Sequence, residues 1–404
     1  MTDLSITNAK LVLPSGEHGS GGVRCSGDRI EAVGDVETCS DAFDAKGAIL
    51  APAIVDLGVF AIDKPAFHFG GIARAALMPD GEMLDAPAPV RFAARSGKPD
   101  LWVHPIAAAT RALEGAQMTE LALMREAGAR AVATGRQWIA DSGTMLRVLQ
   151  VCAALDLTCI VTAEDGGLAG DAVATSGPIA TRFGLSSAPA EAEALAIARD
   201  LMLAEMSGAR VHFRHVTTTR GLELLRRAKA DGLAVTAGVS PAYFMLSDLA
   251  VADFRTFARL SPPLRSEEDR HAVRAAIGDG TIDVVCSSHD PLGGEDKRLP
   301  FADAAPGMAG AETLLPLTLS LVRDGVIELG RAFQVLASNP ARLLGVKAGQ
   351  IEQGYEADLV LVDPDRPWIV DSGKMRAAAG NTPFDRQGVE GRATALFKGG
   401  KRIA

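Results

Sequence analysis

The sequence is poor in cysteine and aromatic residues, and it contains no long apolar run. Its five cysteines are odd in number and form no C-x-x-C pair, which favours reduced core thiols over a disulfide framework or a zinc knuckle. No apolar stretch reaches the roughly 18 residues needed to span a bilayer, and the first residues lack the basic and apolar regions of a secretory signal. We therefore expect a cytoplasmic protein without a membrane anchor.

Blocks of like charge are also absent. The formal net charge of -9 is spread along the chain, so nothing predicts a surface for nucleic acid or for an anionic membrane. What is present is an apolar majority: 48% of the 404 residues are hydrophobic and 23% are charged, as in a large globular α/β protein. This length fits one barrel domain, which commonly has about 250 residues, and a smaller second domain.

The two ends of the chain share one pattern, in which short strand-like runs alternate with turn residues. Near the start these runs cover residues 4–12, 22–24, 29–34 and 45–50, and near the end they cover residues 354–363 and 393–400. The simplest interpretation joins both ends in one small β-sandwich. We predict that this domain comprises residues 1–50 plus 346–404.

The middle of the chain alternates apolar runs of strand length with helical patterns. One such helix is predicted over residues 191–206. Its core face is predicted to carry Leu195, Ile197, Ala198, Leu201, Met202 and Ala204, and its solvent face Glu193, Arg199, Asp200 and Glu205. A doubly wound sheet would show similar spacing, but eight repeats between two β-rich ends favour an α/β architecture of the (β/α)8 TIM-barrel type over residues 51–345. The eight predicted strands cover residues 49–57, 73–79, 101–107, 130–134, 158–164, 210–216, 234–239 and 282–288.

Reacting groups in such barrels lie at the carboxyl ends of the strands. These ends carry few groups that could bind a metal or transfer a proton. The candidates follow the fifth, sixth and eighth strands: Glu164, Asp165, His215, His289 and Asp290.

Long segments of this sequence resemble the dihydroorotase branch of the amidohydrolase family. The resemblance is carried by residues 106–120, 189–200, 261–270, 279–283 and 305–313, and by Asn339-Pro340-Ala341, Ala357-Asp358-Leu359-Val360 and Asn381-Thr382-Pro383-Phe384. It covers nearly the whole chain. It implies a TIM-type barrel and a binuclear zinc site whose bridging hydroxide opens the ring of dihydroorotate reversibly to N-carbamoyl-aspartate. Zinc supplies that hydroxide by lowering the pKa of bound water from about 16 to about 7.

The first strand departs from the family's pattern. The family has Pro-Gly-x-x-Asp-x-His-x-His followed by an arginine that holds the substrate carboxylate. Here residues 52–60 read Pro-Ala-Ile-Val-Asp-Leu-Gly-Val-Phe, so Gly58 and Phe60 replace both histidines. The stretch from Asp56 to Gly70 is also shorter than in the family, and the loop that carries the arginine is absent.

The other family positions are mostly lost as well. The bridging position falls at Thr134 or Gly135, the fifth-strand histidine at Thr162, and the catalytic aspartate at Ser288. Asp80 replaces a substrate-binding asparagine. His215 alone matches a ligand, so one of the six positions survives, and a catalytic zinc ordinarily needs three protein ligands.

Several residues have ordinary structural interpretations. His215 fits a former ligand that now makes a hydrogen bond at the barrel mouth, and Cys286 fits an inert buried thiol. Glu164 and Asp165 fit polar residues capping a loop. Ser288 and His289 should face opposite ways on a strand, so their adjacency predicts no dyad. Vestigial site positions, without a catalytic role, are therefore assigned to His215, Ser288, His289 and Asp290.

We interpret this pattern as a barrel retained for its surface. Some bacteria have a non-catalytic dihydroorotase-like subunit that assembles with aspartate carbamoyltransferase, and this chain resembles that subunit. The interpretation predicts an oligomer and no cofactor. The alternative is an active dihydroorotase or other cyclic-amide hydrolase with a site rebuilt around His212, His215, His289 and Asp290, or with Glu164, which would then bind zinc.

Overall fold

The computed structural model describes residues 3–14, 18–81 and 83–404. The strands are β1 Asp3–Val12, β2 His18–Ser26, β3 Arg29–Gly34, β4 Asp41–Asp44, β5 Ile49–Pro52, β6 Ile54–Val59, β7 Ile72–Leu77, β8 Trp102–Ala108, β9 Ala131–Ala133, β10 Cys159–Val161, β11 Ala174–Thr175, β12 Ser187–Ala188, β13 Val211–Phe213, β14 Val235–Val239, β15 Val284–Val285, β16 Leu359–Ile369, β17 Gly388–Lys398 and β18 Lys401–Arg402. The α-helices are α1 Lys64–Gly70, α2 Pro87–Ser96, α3 Leu121–Glu126, α4 Ser142–Ala154, α5 Gly166–Ala169, α6 Pro178–Phe183, α7 Glu191–Ser207, α8 Thr219–Ala230, α9 Pro241–Met245, α10 Glu267–Gly278, α11 Gly294–Lys297, α12 Ala311–Arg323, α13 Leu329–Phe333 and α14 Asn339–Leu343. Short 3-10 turns cover Arg111–Leu113, Asp248–Val251 and Thr256–Ala258, and a π-helical turn covers Gln334–Ser338.

Eight parallel strands form the barrel, in the order β6, β7, β8, β9, β10, β13, β14, β15. The first and last strands approach each other where the backbone N–H of Phe60 donates to the carbonyl oxygen of His289 at 2.9 Å. The Asp56 carboxylate also accepts from the backbone N–H of Ser287 at 2.8 Å. The predicted TIM-type barrel is therefore confirmed.

Each of the eight predicted runs overlaps a barrel strand, because runs of buried apolar residues between helices are typical of parallel strands. The run over residues 49–57 is divided between two sheets. β5 pairs with β1 and β16, whereas β6 pairs with β7 in the barrel. The chain passes from one sheet to the other at Ala53, and the division into domains 1–50 plus 346–404 and 51–345 stays a prediction.

The two chain ends form one second sheet, ordered β18, β17, β16, β5, β1, β2, β3, with β4 also paired to β1. A bulge in β1 separates the half that pairs with β4 from the half that pairs with β5. Phe43 of β4 packs edge-on against Phe397 of β17, with 5.5 Å between ring centroids. This contact brings distant strands of the sheet together over one apolar core.

Helix α7 starts where it was predicted, but its faces differ from the prediction. Glu193 and Asp200 are buried, whereas Leu195, Met202 and Met206 are exposed. Burial of the two acids is stabilised by donors: Glu193 accepts from Thr217 and Thr218, and Asp200 accepts from Trp138 and Arg199. None of the helices in the described ranges has the length and apolarity needed to cross a membrane.

A buried ion cluster joins the barrel to the terminal sheet. Arg74 on β7 pairs with Asp358, just before β16, at 2.6 Å, and also with Glu356. Asp358 further accepts from the backbone N–H of Gly399 at 2.8 Å and from the Trp102 indole at 3.4 Å. The relative position of the two sheets is thereby fixed by charged as well as apolar contacts.

Candidate functional site

A cavity of about 750 Å³ lies at the carboxyl ends of the barrel strands. This is where TIM-barrel proteins carry their sites. The residues that follow six of the strands line it: Phe60 after β6, Arg136 after β9, Thr162 after β10, His215 after β13, Ser240 after β14 and Ser288 after β15.

The end of the first strand carries an aromatic ring between cations. The Phe60 ring centroid lies 3.7 Å from the guanidinium carbon of Arg136 and 4.7 Å from that of Arg214. Gly58, at the bulge in β6, has φ +112°, and a Cβ added there would lie 3.6 Å from Nε of Arg214. The positions of both lost histidines therefore border guanidinium groups, which are permanently protonated and cannot ligate a metal.

Arg214 is the most unusual cation of the cavity. It is 8% exposed, and its Nε has no hydrogen-bond partner. Its guanidinium makes no ion pair and no hydrogen bond with any residue in the described ranges. Burial is the main cause that lowers the pKa of Arg214, although an arginine keeps its proton in a protein.

Arg136 brings two acids together. Its guanidinium donates to Asp290 and to Asp80, each at 2.9 Å. Asp290 lines the cavity and is neutralised there by an ion pair. Asp80, which stands at the position of the family's asparagine, is linked to Asp290 through Arg136.

His215 and Ser288 form a hydrogen-bonded pair, with 2.7 Å between Nε2 and Oγ. Burial, the largest cause, and the nearby Arg214 charge lower the pKa of His215 well below its ordinary value, so its ring is neutral at pH 7. Ser288 has φ +52°, in the left-handed region. The sequence places Ser288 beside His289, but because all strand ends converge on one mouth, the partner of Ser288 is His215 of another strand end.

The other two histidines lie away from the cavity. His212 is buried, its Nδ1 lies 2.8 Å from Oγ1 of Thr236, and burial lowers its pKa to about 3. His289 accepts a hydrogen bond from the backbone N–H of Ala311 at 3.3 Å, and its Nε2 lies 3.5 Å from a carboxylate oxygen of Asp63. The alternative site around these histidines is thus not assembled: His215 and Asp290 line the cavity, whereas His212 and His289 do not.

The fourth and fifth barrel strands, β9 and β10, are followed by residues that hydrogen-bond to one another. Thr162 donates its hydroxyl to the carbonyl of Gly135 at 2.7 Å, and its backbone N–H donates to Oγ1 of Thr134 at 3.1 Å. Asp165 caps α5 by accepting from the backbone N–H of Leu168 at 2.9 Å, as its sequence context indicated. Thr134, Gly135 and Thr162, which stand at family ligand positions, therefore hold the ends of β9 and β10 together.

Glu164 belongs to a buried ion cluster that the sequence interpretation missed. The Arg265 guanidinium lies 3.0 Å from Glu164 and 3.6 Å from Glu193. Arg265 is 2% exposed and also donates to the hydroxyl of Thr217 at 3.0 Å. Because this cluster forms through three separate segments of the chain, local sequence carries no signal for it.

These residues do not fit the zinc site that the family resemblance implies. In residues 3–14, 18–81 and 83–404, no group of three or more His, Cys, Asp or Glu side chains is placed to hold a metal ion. Of the family positions, His215 alone offers a ligand, and its Nε2 lies at hydrogen-bond distance from Ser288. A catalytic zinc ordinarily needs three protein ligands.

Comparison with known proteins agrees with the fold and the sequence resemblance. The sequence pattern described as "Amidohydrolase family" matches residues 77–403. A dihydroorotase from Syntrophotalea carbinolica is 35% identical over 98% of this chain and 97% of its own, and a "Dihydroorotase-like protein" from Pseudomonas aeruginosa is 34% identical over 94% of each.

Solved structures show the same architecture. The L-hydantoinase (dihydropyrimidinase) from Arthrobacter aurescens superposes with a TM-score of 0.86 at 25% identity, covering 100% of this chain and 96% of its own. The sheet formed by both chain ends and the eight-stranded barrel are therefore the arrangement expected of these proteins. The chain belongs to the amidohydrolase family and is a homologue of the dihydroorotases.

Proposed function

We propose that this protein is a catalytically inactive dihydroorotase homologue of pyrimidine biosynthesis that acts as a structural and regulatory partner of aspartate carbamoyltransferase in the cytoplasm. One observation carries the proposal. Where the family has the two first-strand histidines, this chain has Gly58 and Phe60, and the guanidinium groups of Arg136 and Arg214 lie over the Phe60 ring. A site filled by fixed positive charge repels a divalent metal ion.

The surface of α7 supports a role in binding another protein. Leu195, Met202 and Met206 are between 52% and 68% exposed, and their spacing of seven and four residues places them on one face of the helix. Exposed apolar side chains grouped in this way are typical of interfaces. We name these three residues the α7 stripe and assign it to the carbamoyltransferase contact.

Co-expression tests the assignment. The chain is produced with the aspartate carbamoyltransferase of the same organism, and the mass of the purified product is measured by size-exclusion chromatography with light scattering. We expect a complex that contains both chains. The triple variant Leu195→Lys, Met202→Lys, Met206→Lys should abolish it, because lysine at these positions exposes charge where an apolar contact is needed.

A matched control separates the stripe from a general effect of added lysine. Ile369 is 67% exposed on the terminal sheet, so Ile369→Lys adds charge at an exposed apolar position elsewhere. We expect this variant to form the complex normally. Separate elution of the two wild-type chains would contradict the partnership, and an intact complex with the triple variant would contradict the role of the stripe.

A second candidate is a working cyclic-amide hydrolase, and the pairing of His215 with Ser288 at 2.7 Å favours it. A neutral imidazole beside a hydroxyl is the arrangement of a general base and a nucleophile. Ring opening of dihydroorotate by the purified chain, measured together with its zinc content, distinguishes the two functions. Turnover that Ser288→Ala removes, or stoichiometric zinc with turnover, would support the hydrolase and overturn the inactive assignment.

A further inference from the structure

The cavity at the barrel mouth has the features of a binding site for an anion. We propose that it binds a small organic carboxylate and that the Arg214 guanidinium is the main partner of the carboxylate group. The proposal goes beyond the proposed function, because it assigns a ligand to the cavity whether or not the chain binds aspartate carbamoyltransferase.

Arg214 is buried beside the cavity, and its guanidinium has no ion-pair partner among the described residues. A buried guanidinium with no acid beside it is costly, since the charge loses its hydration and gains no counter-ion. The face of the Phe60 ring, 4.7 Å away, offsets part of this loss but accepts none of the N–H groups. A carboxylate in the cavity would accept them, because its two oxygens match the fork of a guanidinium.

The wall of the same cavity also carries a cluster of unpaired polar atoms. Within the described ranges, six buried side-chain nitrogen or oxygen atoms have no hydrogen-bond partner, and three of them belong to residues that line this cavity. These three are Nε of Arg214, Nε of Arg259 and Oγ of Ser240. Native proteins pair nearly all such atoms, so their convergence on one cavity indicates a ligand that supplies acceptors.

Charge and shape favour a carboxylate over a phosphate. Arg136 is already paired with Asp290, and Arg259 donates to the carbonyl of Leu260 at 3.1 Å, so Arg214 is left as the wholly unpaired cation of the wall. One wholly unpaired guanidinium matches the single charge of a carboxylate group better than the double charge of a phosphate. The rings of Phe60, Trp138 and Tyr243 offer apolar surface to an organic body.

This site differs from the carboxylate contact that the family resemblance implies. That contact uses an arginine in the loop after the first strand, and the corresponding stretch between Asp56 and Gly70 is shortened here. Arg214 follows β13 and immediately precedes His215. It therefore lies at a different strand end of the barrel from the arginine of the family's loop. The ligand is therefore assigned from Arg214 and its neighbours alone.

Calorimetric titration of the purified full chain tests the proposal. The probes are succinate and benzoate, and their neutral counterparts are succinamide and benzamide. We expect at least one carboxylate to bind and neither amide to bind. Arg214→Met keeps the length of the side chain without its charge and should weaken carboxylate binding by about 30-fold or more, as is usual when one member of a buried charge pair is removed.

Two further variants keep the test decisive. Arg386→Met removes an exposed guanidinium, 91% exposed in its side chain, and should bind the carboxylates as the wild type does. Arg214→Lys keeps the charge but loses the fork, and should bind with intermediate affinity. Failure of both carboxylates to bind the wild type, equal binding of acid and amide, or unchanged binding by Arg214→Met would overturn the proposal. Binding of inorganic phosphate in place of both carboxylates would overturn the choice of ligand class.

Discussion

At the scale of single residues, the buried carboxylate of Glu193 has an outsized structural role. It accepts hydrogen bonds from the backbone N–H and hydroxyl groups of Thr217 and Thr218, and it lies 3.6 Å from Arg265. Thr218 is the N-cap of α8, so this one acid connects α7 to the start of the next helix.

Removing the Glu193 carboxylate should therefore destabilise the fold. Glu193→Ala leaves four donors without their acceptor and removes one of the two acids that face the Arg265 guanidinium, so we expect the free energy of unfolding to fall by about 3–5 kcal/mol. Glu193→Gln keeps an acceptor and should lose less. Denaturation in guanidinium chloride measures both, and Glu205→Ala, at an exposed position of the same helix, is the control. Equal losses for Glu193→Ala and Glu205→Ala would contradict this role.

His212 makes stability depend on pH. Burial lowers its pKa in the folded state from the ordinary 6.5 to about 3. Above pH 6.5 the residue is neutral in both states and has no effect. As the pH falls from 6.5 towards 3, the unfolded chain takes up a proton and the folded chain does not, so stability decreases by up to about 1.4 kcal/mol per pH unit.

A variant isolates this contribution. His212→Gln should make the fall in unfolding free energy between pH 6 and pH 4 shallower by about 1 kcal/mol per pH unit, whatever its effect at pH 7. A profile for His212→Gln parallel to that of the wild type would show that the buried histidine does not titrate as expected.

Residue identity predicts that the family's first-strand ligands are missing, but it does not show which side chains lie around their positions. Gly58 and Phe60 are visible in the sequence as missing histidines, because each family position carries its own residue type. The placement of Arg214 against Phe60 arises from two strands that are far apart in sequence. Local sequence therefore carries no signal that places Arg214 against Phe60.

At the scale of elements, the length of the apolar runs predicted the strands well, whereas hydrophobic periodicity predicted the faces of α7 poorly. Buried parallel strands are continuous apolar runs, so all eight were found. A helix face is predicted from hydrophobicity alone, and that rule fails where acids are buried with partners, as for Glu193 and Asp200. Those partners come from other segments of the chain, Thr217 and Trp138 among them.

The ion cluster between β7 and the start of β16 offers a prediction at this scale. Asp358→Ala leaves the 2% exposed Arg74 with Glu356 as its one acidic partner among the described residues, and it also removes the acceptor for the Gly399 N–H. We expect the free energy of unfolding to fall by about 3–5 kcal/mol. Asp365→Ala, at an exposed position of the same strand region, should change it by less than about 0.5 kcal/mol. A second unfolding transition that appears in Asp358→Ala and not in Asp365→Ala would show that this cluster couples the sheet to the barrel.

At the scale of the whole molecule, the barrel and terminal sheet have the architecture of the solved relatives, and three arginines line the cavity at the barrel mouth. The sequence predicted the architecture, because the fold depends on patterns repeated along the chain, but it did not indicate the charge of the cavity, which arises where strand ends distant in sequence meet. The cavity that results combines Arg136, Arg214 and Arg259 with a neutral histidine. Such a cavity is suited to an anion and unsuited to a divalent cation.

Metal addition and removal test this conclusion on the intact protein. A ligand that binds the folded state stabilises it by about 2.7 kcal/mol at 100 times its Kd, which would raise Tm by several degrees. Because Arg214 and Arg136 border the former zinc positions, we expect neither a chelator nor added Zn²⁺ to change Tm by more than about 1 °C. A dihydroorotase that keeps both first-strand histidines serves as the control and should lose stability with the chelator. A drop in Tm on chelation, restored by zinc, would mean that this chain holds a structural or catalytic metal, and the charge of the cavity would then have to be reinterpreted around that ion.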